Sequence, residues 1–245
     1  LAMAHTNLGI SHLSMGNTKE AISHYKTAIK FNPNHAHGHY NLGIVLFALG
    51  KVEDAISHYQ TAIKLNPNYA AAHNNLGLIL EGNGRTREAI SNYRTAINLK
   101  PGYAAAHSNL GNTLFALGKT KEAIAHYKTV VRLRPGFFPA HTNLGNALFA
   151  LGKTEEAIAH YKTVIRLNPD LALANSNLGI ALFALGKTEE AIAHYETAIR
   201  LNPDFAMAYT NLGNALSALG KTEEAIVHYK TAIRLKPGYT EAHHN

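Results

Sequence analysis

The triplet Asn-Leu-Gly occurs seven times in this 245-residue chain, at Asn7, Asn41, Asn75, Asn109, Asn143, Asn177 and Asn211, always 34 residues apart. A fixed period of this length constrains the fold more than any other feature. It makes each block one supersecondary unit that must stack on its neighbours to bury its apolar faces. Counted from the residue six before each Leu of the triplet, the units run 2–35, 36–69, 70–103, 104–137, 138–171, 172–205 and 206–239. Residues 240–245 open an eighth unit.

Each unit carries two apolar stripes at helical spacing. In the fifth, Ala140, Leu144, Ala147, Leu148 and Leu151 mark one helix, and Ala157, Ile158, Tyr161, Val164, Ile165 and Leu167 mark a second. Gly152 ends the first, where the left-handed conformation costs glycine least. Thr154 is expected to cap the second, with Glu155 and Glu156 in its first turn, where the helix dipole favours acids. Pro169 stops it. A glycine inside the first helix recurs from Gly9 to Gly213, although mid-helix glycine costs about 1 kcal/mol relative to alanine. The matching small column, Ala21 to Ala225 on the second helix, points to a close crossing of the two helices. The expected fold class is all-α, a succession of helical hairpins.

Leu-Gly, then Gly, Ala, Tyr, Ala or Val, and Pro at these offsets resemble the tetratricopeptide repeat (TPR) over essentially the whole chain. The fourth place, often a large aromatic in that family, is His5, His39, His73, His107, His141, Asn175 and Tyr209 here. The "HxNLG" and "P-x-[FY]-A" wording is also similar to the repeats of O-GlcNAc transferase and related bacterial proteins. The resemblance implies a right-handed superhelical solenoid of helix-turn-helix hairpins. Its first helices would line a concave groove, and its second helices would form most of the convex side.

Family geometry turns the second, fifth, sixth, ninth, twelfth and thirteenth places of each unit toward that groove. The sixth is Asn in all seven units, the triplet Asn itself. The fifth is small and polar in Thr6, Asn74, Ser108, Thr142, Ser176 and Thr210. The twelfth supplies Phe47, Phe115, Phe149 and Phe183, and the ninth includes Asn112, Asn146 and Asn214. A side-chain amide offers a donor and an acceptor, the pair that a peptide backbone presents. A row of amides therefore suits an extended peptide guest, with each hydrogen bond contributing about 0.5–1.5 kcal/mol. The bland alternative is that seven identical residues record duplication, as the seven outward Thr from Thr27 to Thr231 do.

The placement of charge narrows the partners. The net charge is +7, yet no Lys or Arg falls on a first helix, and the acids there are Glu81 and the terminal Glu241. A nucleic-acid surface needs cations converging with stackable aromatics. Lys30, Lys64, Arg132, Arg166, Arg200 and Arg234 instead alternate with acids, as on a solvated helix face. A carboxylate clamp for acidic C-termini, another groove chemistry of the family, lacks its cations too. No apolar run approaches the ~18 residues of a membrane helix. Nucleic acid and membrane are therefore not expected partners.

Catalysis and cofactors are not expected either. There is no Cys, no convergent carboxylate pair and no phosphate-cradling glycine loop. The second-helix histidines, His24, His58, His126, His160, His194 and His228, lie one repeat apart, about 10 Å for packed helices. Neighbours so spaced cannot share an ion with Zn–N bonds of about 2.0–2.1 Å. His35, His37 and His39 fall at a turn and on different faces. No metal site is expected.

The sequence reading is thus a non-enzymatic scaffold for extended peptides. Two alternatives stay open: a solenoid that associates head to tail, since Leu1 stands where Leu171 does, and the substrate-guiding arm of a glycosyltransferase.

Overall fold

Gly152 shows how each hairpin turns. In the computed structural model, which describes residues 1–237, this glycine has φ +74°, in the left-handed region. Its N–H donates to the carbonyl of Phe149, and the N–H of Lys153 donates to that of Leu148. These two bonds satisfy carbonyls that a helix end leaves open. Lys153, not Thr154, is then the N-cap of the following helix, and no side-chain cap is made. Thr154 is the first helical residue, too late in the chain to cap. One residue both completes the first helix's C-terminal motif and begins the second helix, so the link has no slack. Exposed ion pairs follow the link, such as Lys153 with Glu156 at 2.6 Å and Arg85 with Glu88 at 2.8 Å. Solvent screens such exposed pairs, and they contribute little to stability.

The described residues form fourteen α-helices and no strands. The first helices of the hairpins are α1 (Ala2–Ser14), α3 (Ala36–Ala48), α5 (Ala70–Gly82), α7 (Ala104–Ala116), α9 (Phe138–Ala150), α11 (Ala172–Ala184) and α13 (Ala206–Ala218). Their partners are α2 (Thr18–Phe31), α4 (Val52–Leu65), α6 (Thr86–Leu99), α8 (Thr120–Leu133), α10 (Thr154–Leu167), α12 (Thr188–Leu201) and α14 (Thr222–Leu235). The expected eighth unit, 240–245, lies outside the described residues.

Two compact units divide the chain, Leu1–Thr113 and Leu114–Asn245, with the boundary inside α7. In the first, α1 packs on α2, α3 on α4 and α5 on α6, while α2 and α4 also pack on the first helix of the next hairpin. The second unit repeats the scheme with α9 on α10, α11 on α12 and α13 on α14, joined through α10 with α11 and α12 with α13. Each unit is a stack of hairpins whose core is the seam between them. Leu76, Leu110, Leu144, Leu178 and Leu212 of the triplet are all buried there.

The mid-helix glycine makes room for a ring. A Cβ built on Gly145 would lie 2.6 Å from Cε1 of Tyr161, closer than real contacts allow. The same tyrosine faces the same glycine in the other hairpins that can be compared, as at Gly43 with Tyr59 and Gly179 with Tyr195. The alanine column, Ala157 among it, is fully buried alongside. The sequence expectation of close crossing holds, but its direct cause is the tyrosine ring laid on bare helix backbone. Two glycine substitutions in helices should therefore act in opposite directions. Gly145→Ala should destabilise by about 1–3 kcal/mol through overpacking. Gly82→Ala at the end of α5, where nothing lies within 4 Å of the added carbon, should stabilise by about 0.5 kcal/mol. Urea denaturation of both variants beside the parent measures the signs.

Candidate functional site

The amide row runs along the first helices, none of which carries Lys or Arg. Asn7 is exposed, and Asn41, Asn75, Asn109, Asn143, Asn177 and Asn211 are half-buried. Several of these amides also bond between hairpins. Asn109 Nδ2 donates to Asn74 Oδ1 at 3.1 Å, Asn74 Nδ2 to Asn75 Oδ1 at 3.2 Å, and Asn75 Nδ2 to the Tyr40 hydroxyl at 3.2 Å. This ladder crosses α7, α5 and α3. In the second unit Asn177 Nδ2 donates to Asn146 Oδ1 at 3.4 Å. Three hairpins further on, the equivalents of Asn74 and Asn109, Ser176 Oγ and Asn211 Nδ2, are buried without a hydrogen-bond partner among the described residues.

The ninth place has a second task. The hydroxyl of Tyr161 donates to Asn146 Oδ1 at 2.9 Å, and that of Tyr229 to Asn214 Oδ1 at 2.8 Å. Asn112 occupies the same place and is exposed. The third hairpin has Leu78 there, and Glu81 takes over from the twelfth place. Its carboxylate accepts from the Tyr93 hydroxyl at 2.8 Å and from the Thr113 hydroxyl of the next hairpin. Burial, reinforced by that bond and charge, pushes the Tyr93 hydroxyl well above its usual range. Burial alone lifts Tyr161 to about 12. The aromatic members of the twelfth place are more open: Phe47 is exposed, and Phe115, Phe149 and Phe183 are half-buried.

The fifth place does not form an open polar row. Thr6, Asn74, Ser176 and Thr210 are buried. The hydroxyls of Thr6, Thr142 and Thr210 turn back to the carbonyls of Ala2, Phe138 and Ala206, one turn earlier on the same helix. Such back-bonding satisfies a buried hydroxyl locally and removes it from a guest.

Histidines pair across the first, second and fifth hairpins. Nδ1 of His5 lies 3.1 Å from Nδ1 of His24, that of His39 3.0 Å from His58, and that of His141 3.1 Å from His160. Nε2 of His39 and His141 faces the carbonyl of Pro33 and of Pro135, at 3.3 and 3.0 Å. A carbonyl only accepts, so each Nε2 carries the proton and each Nδ1 offers a lone pair. The second-helix partner must then donate from its own Nδ1. Asn stands in for one member elsewhere: Asn92 opposite His73 at 3.1 Å and Asn175 opposite His194 at 3.0 Å. Their signal in the sequence is a constant separation of 19 residues, which relates the two helices of one hairpin and not successive repeats. Among the described residues, no group of three or more His, Cys, Asp or Glu is placed to hold a metal ion.

A family model described as TPR repeat matches residues 9–50, 45–84, 82–118, 111–152, 145–186 and 180–220, and one described as tetratricopeptide repeat matches 206–239. The chain belongs to the tetratricopeptide repeat family. Solved structures agree on the fold. A TPR protein from Cytophaga hutchinsonii is similar at TM-score 0.74 and 18% identity, covering 98% of each chain. YrrB, described as a TPR protein with an unusual peptide-binding site, matches at TM-score 0.65 and 23% identity, over 76% of this chain and 96% of its own. MamA matches at TM-score 0.63 and 28% identity, over 68% of this chain and 97% of its own. No curated protein matches in sequence. Such arrays are protein-interaction scaffolds, and no described helix is long and apolar enough to cross a membrane.

Burial in the TPR hairpins lowers the pKa of His39, His58, His160, His194 and His228. Around His58, the charges of His39 and Lys26 act in the same direction and Asp54 opposes them. Around His160, His141 and Lys128 lower and Glu156 raises. A folded-state value below the unfolded one, about 6.5 for His, means that the unfolded chain takes up protons first. The stability from these groups is complete above the unfolded value and is lost as pH falls through the folded ones. Unfolding free energy should therefore fall between pH 7.5 and pH 5, and less steeply in a His58→Asn, His160→Asn double variant. Urea titrations across that window, giving equal slopes for parent and variant, would contradict this account.

Proposed function

We propose that this TPR array binds extended peptide segments along its first-helix faces, chiefly through the guest's backbone. The observation that carries the reading is the row of half-buried Asn amides on helices without Lys or Arg. Each carboxamide has two N–H groups and two lone pairs. Asn109 and Asn177 each place one N–H on a neighbouring hairpin, which fixes the amide and leaves it further donor and acceptor capacity. That capacity matches the alternating C=O and N–H of an extended chain. Asn146, held through its Oδ1 by the Tyr161 hydroxyl, directs its amide N–H groups to the same purpose, and Asn214 stands at the matching place of the seventh hairpin. Asn7, Asn41, Asn75, Asn143, Asn211 and Asn112 extend the row. Phe47, Phe115, Phe149 and Phe183 would add apolar contact for selected guest side chains. YrrB, which has this fold, has a peptide-binding site of its own, a precedent for the scaffold and not for these residues.

A guest held by neutral amides releases few counterions, so its affinity should change little with salt, unlike that of a nucleic acid. The test is calorimetry with a peptide selected from a display library on the intact chain. An Asn109→Ala, Asn143→Ala, Asn177→Ala variant should remain helical and bind that peptide about 10- to 100-fold more weakly, at about 1 kcal/mol per lost bond. Equal affinity for variant and parent would remove the amide row from the mechanism.

A further inference from the structure

The geometry that gives the cross-hairpin histidine pairs their hydrogen bond also sets two ring nitrogens at a chelating distance. In His5–His24, His39–His58 and His141–His160 it is the two Nδ1 atoms that face each other, 3.0–3.1 Å apart. Two bonds of about 2.0–2.1 Å from one ion to nitrogens at that separation subtend about 95°. This lies between the right angle of tetragonal Cu(II) or Ni(II) sites and the tetrahedral angle of Zn(II). The first-helix imidazoles of the second and third pairs hold their Nε2 against backbone carbonyls, of Pro33 and Pro135. Metal-bound histidines are oriented in this way, with the far N–H on a carbonyl and the near lone pair presented. His39 and His141 are buried and their partners half-exposed, so the near nitrogen is positioned while one side stays open to solvent.

We propose that these three pairs are two-imidazole chelating sites for a divalent transition metal of intermediate softness, such as Ni(II), Cu(II) or Zn(II). These sites lie neither along the second-helix column of histidines nor at His35 and His37; they form within a hairpin, between its two helices. On binding, the second-helix imidazole carries its proton on Nε2 instead of Nδ1. This is a change of tautomer with no net proton release. No third protein ligand converges among the described residues, so water completes the coordination and the ion exchanges readily. The bound ion ties the first helix of a hairpin to the second near the start of the first, which stabilises that hairpin.

Asn175 opposite His194 shows that Asn on the first helix keeps the cross-helix hydrogen bond at 3.0 Å. The test is therefore a His5→Asn, His39→Asn, His141→Asn variant, produced without an affinity tag and titrated with Ni(II) by calorimetry and by thermal unfolding. The parent should bind Ni(II) and melt at a higher temperature with it. The triple variant should fold, as circular dichroism will report, and bind three fewer equivalents. A His37→Asn control, at an exposed histidine outside the pairs, should bind as the parent does. If the first-helix triple does not fold, the reciprocal His24→Asn, His58→Asn, His160→Asn variant, with Asn92 as its precedent, is read in its place. A parent that binds no Ni(II), a triple variant with undiminished equivalents, or a loss that follows His37 instead would each overturn the proposal.

Discussion

A tyrosine ring lying on a glycine is the contact from which the rest of each hairpin follows. Tyr161 on Gly145, and its counterparts in other hairpins, set how closely the two helices cross. The glycine lowers helix propensity by about 1 kcal/mol, and burial of a whole aromatic ring offsets that loss. Once the ring is seated, its hydroxyl emerges on the first-helix side and needs an acceptor. The ninth place supplies one in Asn146 and Asn214, and Glu81 supplies it where that place is Leu78. The ring thus connects the packing of the core to the polar decoration of the surface it supports.

Much of this was legible in the sequence because it is periodic. Gly152 as the turn, the paired stripes and the uncharged first helices all follow from spacing and residue type. What escaped depended on atoms rather than intervals. Thr154 looks like a cap until the backbone shows that Lys153 already occupies that station. Thr142 and Thr210 look like groove hydroxyls, yet each satisfies itself on its own helix. The small columns of Gly and Ala indicate a close crossing but do not reveal which side chain fills it. The histidine pairs lay within reach, since a separation of 19 residues places both rings at one end of a hairpin.

Electrostatics divides the labour between the two helices of a hairpin. Charged side chains gather at the turns and on the second helices, where pairs such as Lys153 with Glu156 remain in solvent. The first helices use neutral amides instead, which make directional contacts without a charge to desolvate. Glu81 is the exception on a described first helix, and two hydroxyls hold it. The amide row has a structural part as well as an outward one. The ladder from Asn109 to Tyr40 ties successive hairpins of the first unit together, so uniformity at the sixth place needs no single explanation.

The slackless link at Lys153 restricts how such a chain can change length. One extra residue there would turn the following helix by about 100° on its axis and carry Tyr161 away from Gly145. A deletion would do the same in the opposite sense, and neither can be absorbed where one residue serves two helices. Gains and losses of whole 34-residue blocks preserve every seam, whereas frame-preserving changes of other sizes break at least one. Mutational drift in length is thereby quantised, and the uninterrupted spacing of the triplet is the trace that this leaves in the sequence.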